Sequence, residues 1–217
     1  MTALFIVAHA DDEILGACGT IARLKARGDR VAVLTMSCSS ATREAGLDEK
    51  QRKTHKALQV DATYQGNSET MTLGTCDRYE LTRQIEKIIK AEQPNLIFTH
   101  DLNDIHNDHR VLASIVLEAI KLPLRHSDRH LAIDGVYAME IPSSSDWGSG
   151  FLPNAFFRIE ETDLWQKAAL LEGYDDVIRE LPHPRNFESF RALARYRGGQ
   201  CGCLYAEAFR KLMEVNQ

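Results

Sequence analysis

A chain of 217 residues with a hydrophobic fraction of 44% has the size and composition of one large domain with a full core. Its 26 Lys and Arg stand against 31 Asp and Glu, so no basic field draws nucleic acid or an anionic membrane to it, and neither partner is expected. No apolar run approaches the ~20 residues of a membrane span, and no basic segment precedes the first apolar run, so a cytoplasmic protein is the expectation.

The first predicted element is a buried strand. The run Leu4-Phe5-Ile6-Val7-Ala8 stops abruptly at His9, Asp11, Asp12 and Glu13. Ile14, Leu15, Ala17, Cys18, Ile21, Ala22 and Leu24 then recur at helical spacing until Gly28, and Val31 to Met36 is a second strand. Strand, helix and strand within about thirty residues make the βαβ unit of a parallel sheet. Gly16 and Gly19 suggest a dinucleotide fingerprint, but its first glycine is missing and acids occupy the phosphate position. A polar loop from Ser37 to Gly46 carries Arg43, a charged helix is expected from about Asp48 to Gln59 with His55 on a solvated face, and a short strand lies near Ala62 to Tyr64.

Leu81, Ile85, Ile88 and Ile89 mark an amphipathic helix, and Asn95 to Thr99 is the next buried strand. It runs into His100-Asp101-Leu102-Asn103-Asp104-Ile105-His106-Asn107-Asp108-His109-Arg110, followed by a helix through Ile120. Further strands are expected at Gly135 to Ile141 and Ala155 to Ile159. Helices are expected around Thr162 to Asp175, Ser189 to Tyr196 and Tyr205 to Val215. Cys18, Cys38, Cys76, Cys201 and Cys203 are odd in number and lack the spacing of a disulfide framework, and Cys201-Gly-Cys203 reads as a turn. No linker or repeat divides residues 1–217. A single α/β domain follows, Rossmann-like, with a mostly parallel sheet and helices on both faces.

Two polar clusters therefore emerge at the carboxyl ends of buried strands, where open α/β sheets place their ligands. Taken singly, each has a capping explanation, with Asp11 or Asp12 and Asp104 or Asn107 as N-caps. Together, with His106 and His109 on one helix face, they are better explained by a bound metal. Imidazole and carboxylate suit Zn²⁺, whereas Mg²⁺ and Ca²⁺ prefer oxygen alone.

Ala8-His9-Ala10-Asp11-Asp12-Glu13 resembles the AHPDDE motif of the PIG-L (LmbE-like) zinc-dependent deacetylases, and His106-Asn107-Asp108-His109-Arg110 resembles their HPDHR motif. Tyr205-Ala-Glu-Ala-Phe209 is a third match, with Pro153-Asn154 between. The resemblance implies one Zn²⁺ held by His9, Asp12 and His109, with Asp11 as general base. His106 would bind or protonate the reacting group, with Asp108 as its orienting partner. Asp104 and Arg43 are the candidate substrate-binding positions. The implied reaction is removal of the N-acetyl group from an N-acetylglucosamine-type amino sugar or conjugate, with Trp147 and the neighbouring serines as a stacking rim. Ala10 and Asn107 replace the commonest prolines of the motifs, which bears on rigidity rather than chemistry. The competing readings are a dinuclear phosphoesterase built on Asp11, Asp12, Asp104 and Asp108, and a sugar-binding relative without catalysis. Oligomeric state is left open, a homo-oligomer included.

Overall fold

From Ala3 to Val7 every residue of β1 (Thr2–Val7) is buried, as a strand covered on both faces requires. The alternation of its side chains creates two cores. Ala3, Phe5 and Val7 join one apolar cluster, and Leu4, Ile6 and Ala8 join the other. In the computed structural model, which describes residues 1–37, 46–121, 132–147 and 149–215, β1 is an interior strand of a seven-stranded sheet. β2 (Arg30–Ser37) pairs parallel on one side of it and β4 (Leu96–Thr99) on the other. Beyond β2 lies β3 (Ala62–Ser68), and beyond β4 lies β5 (Gly135–Met139), both parallel. β7 (Tyr205–Glu214) and β6 (Ala155–Ile159) complete the order β3-β2-β1-β4-β5-β7-β6.

The chain leaves β1 toward β2 and β3, then returns to β4 on the opposite side. The carboxyl ends of β1 and β4 therefore flank the point where strand order reverses, and a crevice opens there. Helices α3 (Arg78–Glu92) and α4 (Asn107–Lys121) cover one face through Leu81, Ile85, Ile89, Leu112, Ile115 and Val116. On the other face lie α1 (Asp12–Ala26), α5 (Glu161–Leu171) and α6 (Phe187–Cys201). α2 (Leu47–Ala57) contributes Leu47 to the same cluster. No helix among the described residues is long and apolar enough to cross a membrane.

The expected helix at Tyr205 to Val215 is a strand. Tyr205, Ala206, Glu207, Ala208 and Phe209 are buried consecutively, without a solvent face. β7 runs antiparallel between β5 and β6 and satisfies its backbone on both edges. His55 also departs from expectation. It is buried rather than solvated, with Nε2 2.9 Å from Glu13 Oε1 and Nδ1 2.7 Å from Thr63 Oγ1. The first-turn carboxylate of Glu13, buried in α1, gains a partner this way.

Gly16 and Gly19 serve packing. A Cβ at Gly16 would stand 2.8 Å from Ile141 Cδ1, and one at Gly19 would stand 2.6 Å from Ile159 Cγ2. Between them α1 breaks at Ala17, with φ −151° and ψ 19°. Leu15 C=O and Gly19 N–H are the pair that an unbroken helix would join. Here Lys167 Nζ donates to Leu15 O at 2.5 Å, and Gly19 N donates to Glu207 Oε1 at 3.1 Å. Glu207 Oε2 also accepts from Thr20 N and Thr20 Oγ1, each at 2.7 Å. Lys167 Nζ and Glu207 Oε1 lie 3.8 Å apart, so one buried ion pair spans the break. Glu207→Ala leaves Lys167 and the freed amides without their acceptor and should cost about 3 kcal/mol, the usual scale for breaking a buried pair. Urea unfolding measures this, and a loss under about 1 kcal/mol would show that packing alone holds the break.

Candidate metal centre

Ala8 and His9 follow directly on β1, and His100 follows directly on β4, so each strand leads into a buried histidine at the crevice. Asp11 occupies the N-cap position of α1, but its side chain makes no capping hydrogen bond. Asp12 turns back instead, with Oδ2 accepting from His9 N at 2.8 Å. From the second cluster α4 brings in Asp108 and His109, both buried. The capping reading thus fails at Asp11.

Each of His9 and His109 has one nitrogen committed to a carboxylate. His9 Nε2 is 3.3 Å from Asp108 Oδ2, and His109 Nδ1 is 3.0 Å from Asp104 Oδ2. A carboxylate only accepts, so these nitrogens are the donors and the opposite nitrogens carry lone pairs. Those lone pairs converge. His9 Nδ1 is 3.2 Å from Asp12 Oδ2, His109 Nε2 is 3.4 Å from the same oxygen, and the two ring nitrogens are 3.4 Å apart. Ligands about 2.0–2.1 Å from a tetrahedral metal stand about 3.3–3.4 Å from one another, so this triangle fits such an ion. Histidines backed by carboxylates are also the usual support of a metal ligand.

His100 and His106 border the triangle, and each shares with His109 a set of possible ligand atoms within 4.8 Å of one another. His100 Nε2 is spent, because it accepts from Ala8 N at 2.9 Å. Its ring stacks on His109 at 3.9 Å between centroids, so it supports the site from beneath. The sequence gives no separate signal for this role, although His100 follows β4 much as His9 follows β1. His106 stacks on His109 at 4.4 Å and meets His9 edge-on at 4.8 Å.

The electrostatics of the cluster favour a cation. Burial pushes the Asp12 carboxyl up, but His109, His100 and His9 outweigh it and hold the group well below the usual carboxylate range. Burial likewise opposes the charged form of His109, yet Asp12 and Asp104 raise it to about 10. At neutral pH the metal-free triangle therefore carries a proton. At His106, burial and then the charge of His109 and His9 outweigh Asp12 and Asp108, lowering it to about 4, and it is neutral.

Two expected roles change. Asp108 orients His9 rather than His106, and its remaining contacts are Met71 N at 2.7 Å and Leu73 N at 3.2 Å. Asp104 is not open to substrate, because it is buried and accepts from His109, from His106 N at 2.8 Å and from Ser144 Oγ at 2.9 Å. With Asp104 and Asp108 each committed to a histidine, the set proposed for a second metal is depleted. The serines near Trp147 are likewise structural ties, while Trp147 itself is exposed. Arg43 lies outside the described residues.

A doubly wound α/β sheet of the LmbE-like fold thus carries at its switch point a His/Asp group that could hold a metal ion. The PIG-L family pattern, described as GlcNAc-PI de-N-acetylase, matches residues 4–120, more than half of the chain, and the chain belongs to this family. Among solved structures, it is similar to the conserved protein TT1542 from Thermus thermophilus, with 23% identity, TM-score 0.80, and 100% and 97% of the two chains covered. It is also similar to N,N'-diacetylchitobiose deacetylase from Pyrococcus horikoshii, with 20% identity, TM-score 0.74, and coverage of 97% and 83%. GalB, the 4-carboxy-2-hydroxymuconate hydratase from Pseudomonas putida KT2440, matches at 21% identity and TM-score 0.73, with coverage of 100% and 98%. At these identities the likeness is one of fold.

Because His109 is held protonated up to about pH 10 without metal, metal uptake near pH 7 should release a proton, and affinity should fall as pH falls. Calorimetry in buffers of different ionisation enthalpy measures the release, and no proton release would contradict a ligand role for His109. Asp104→Asn and Asp108→Asn should each weaken metal binding by about 10–100-fold although neither carboxylate belongs to the triangle. Competition with a chromogenic chelator reads this directly.

Proposed function

We propose that the chain is a zinc-dependent hydrolase that removes the acetyl group from an N-acetylglucosamine-type amino sugar or its conjugate. The observation that carries this reading is the triangle of His9, Asp12 and His109. His9, Asp12 and His109 would hold the metal. When bound, zinc supplies a Lewis acid that brings a water pKa toward about 7 and polarises the acyl oxygen.

Asp11 takes a proton from the attacking water as its oxygen bonds to the acetyl carbon. His106 is neutral, so it acts as a hydrogen-bond donor to the developing oxyanion rather than as an acid. The C–N bond then breaks with its electron pair on nitrogen, and the proton held by Asp11 completes the leaving amine. Family membership and the deacetylase neighbours support this reaction class.

The test is acetate release from a panel of N-acetyl sugar derivatives with zinc-loaded and chelated protein. Chelation should abolish activity and Zn²⁺ should restore it, with one metal per chain. No acetate from any substrate would sink the proposal, whereas two metals per chain would favour the phosphoesterase. Asp11→Asn should retain metal and lose roughly 10²–10⁴-fold in kcat, whereas Asp12→Ala should lose the metal itself. Metal analysis beside initial rates separates the two, and a reversed pattern would exchange the assigned roles.

A further inference from the structure

Arg185 lies in the segment before α6 and is held at both ends of its peptide unit. Its N–H donates to His183 Nδ1 at 3.1 Å, and its carbonyl accepts from Arg179 N at 2.8 Å. The next residue, Asn186, caps α6 by accepting from Ser189 N at 3.0 Å. The side chain is anchored through Nε alone, which donates to Ser143 Oγ at 2.8 Å and to Pro142 O at 3.3 Å. Ser143 adopts a left-handed φ of 80°, costly for a non-glycine residue and more often kept where function needs it. Its neighbour Ser144 donates to Asp104, so the same short loop holds both Arg185 and the carboxylate behind His109.

What this anchoring leaves over points to a ligand. Arg185 Nη1 stands 4.0 Å from Asp11 Oδ2, beyond hydrogen-bond reach, and neither Nη atom makes a hydrogen bond to the described residues. The side chain is 23% exposed, so a small molecule can reach it. A tie between two loops would need only Nε. The remaining donors form a rigid planar fork suited to oxygen acceptors.

We propose that Arg185 is a substrate-binding residue, whose Nη donors take the hydroxyl oxygen on the sugar carbon next to the one bearing the acetamido group. This rests on the deacetylase reading, in which Asp11 faces the reacting amide. A guanidinium beside Asp11 then meets the sugar within one ring of the bond that breaks. No motif marks Arg185 in the sequence, and Arg43, the position expected to bind substrate, lies outside the described residues.

The test compares the wild type with R185M and R185K on the best N-acetylglucosamine derivative of the panel and on its 3-deoxy analogue. R185M should raise KM about 10-fold or more with little change in kcat and no change in metal content. The wild type should lose about 10–100-fold in kcat/KM on the deoxy substrate, because a site built to bond a hydroxyl rejects its absence, and R185M should treat both alike. Added methylguanidine should restore part of the R185M loss, which a purely structural role would not allow. If R185M does not fold, R185K, which keeps the charge but not the fork, carries the same comparison. An unchanged KM, or a variant that discriminates against the deoxy analogue as strongly as the wild type, overturns the assignment while leaving the deacetylase standing. Absence of acetate release by the wild type removes the deacetylase reading and this assignment with it.

Discussion

Three lone pairs, on His9 Nδ1, Asp12 Oδ2 and His109 Nε2, converge within 3.2–3.4 Å in a buried crevice, and much of the surrounding structure follows from that constraint. Lone pairs at this spacing repel unless a proton or a cation lies among them. Burial raises the cost, because the dielectric around them is low. The protein holds them together with further buried acceptors: Asp104 and Asp108 fix the outward nitrogens and leave the inward ones no other tautomer. A cluster that stable packing would avoid is thus kept, in an arrangement that could hold a metal ion.

Holding both loops in place falls largely to β7. Glu207 reaches into the broken α1, taking the amides of Gly19 and Thr20. Arg210, from the same strand, donates to Asp101 Oδ1 at 2.7 Å and so fixes the loop that follows β4. β7 therefore contacts both the helix that follows β1 and the loop that follows β4. The Tyr205-to-Phe209 motif carries no reacting group in this arrangement. Its importance is mechanical, through backbone groups that a regular helix or loop would have left to water.

The central sheet was legible because its strands are continuous apolar runs ended by ionisable residues, a pattern that sets both burial and direction. The His9, Asp12 and His109 grouping was legible through motif and placement together. β7 was not, since five consecutive buried residues carry neither a period of 2 nor one of 3.6, and only the strands beside it decide the matter. The pairing of His9 with Asp108 spans 99 positions and has no local signal. His55 was not legible because every residue of α2 between Leu47 and Ala57 is polar. Its buried face is matched to Glu13 and Thr63 rather than to apolar side chains, and a helix read alone cannot show which polar face meets a polar partner.

The fold accommodates more than one reaction, since similar structures include a deacetylase and a hydratase. An activated water with a carboxylate base beside it serves attack on an amide carbon and addition to a double bond equally well. The groups that could provide it come from the ends of β1 and β4, where the sheet fixes them rigidly. Discrimination must then arise from what surrounds the reacting atoms. In this chain that surround includes the 141–147 loop and the segment before α6, which meet at Ser143 and Arg185. The 141–147 loop is tied to His109 through Ser144 and Asp104, so the position of the loop and that of the ring are linked. Loops on a rigid scaffold can vary in this way without refolding it, whereas the motifs that place this chain in its family lie where the sheet itself holds them.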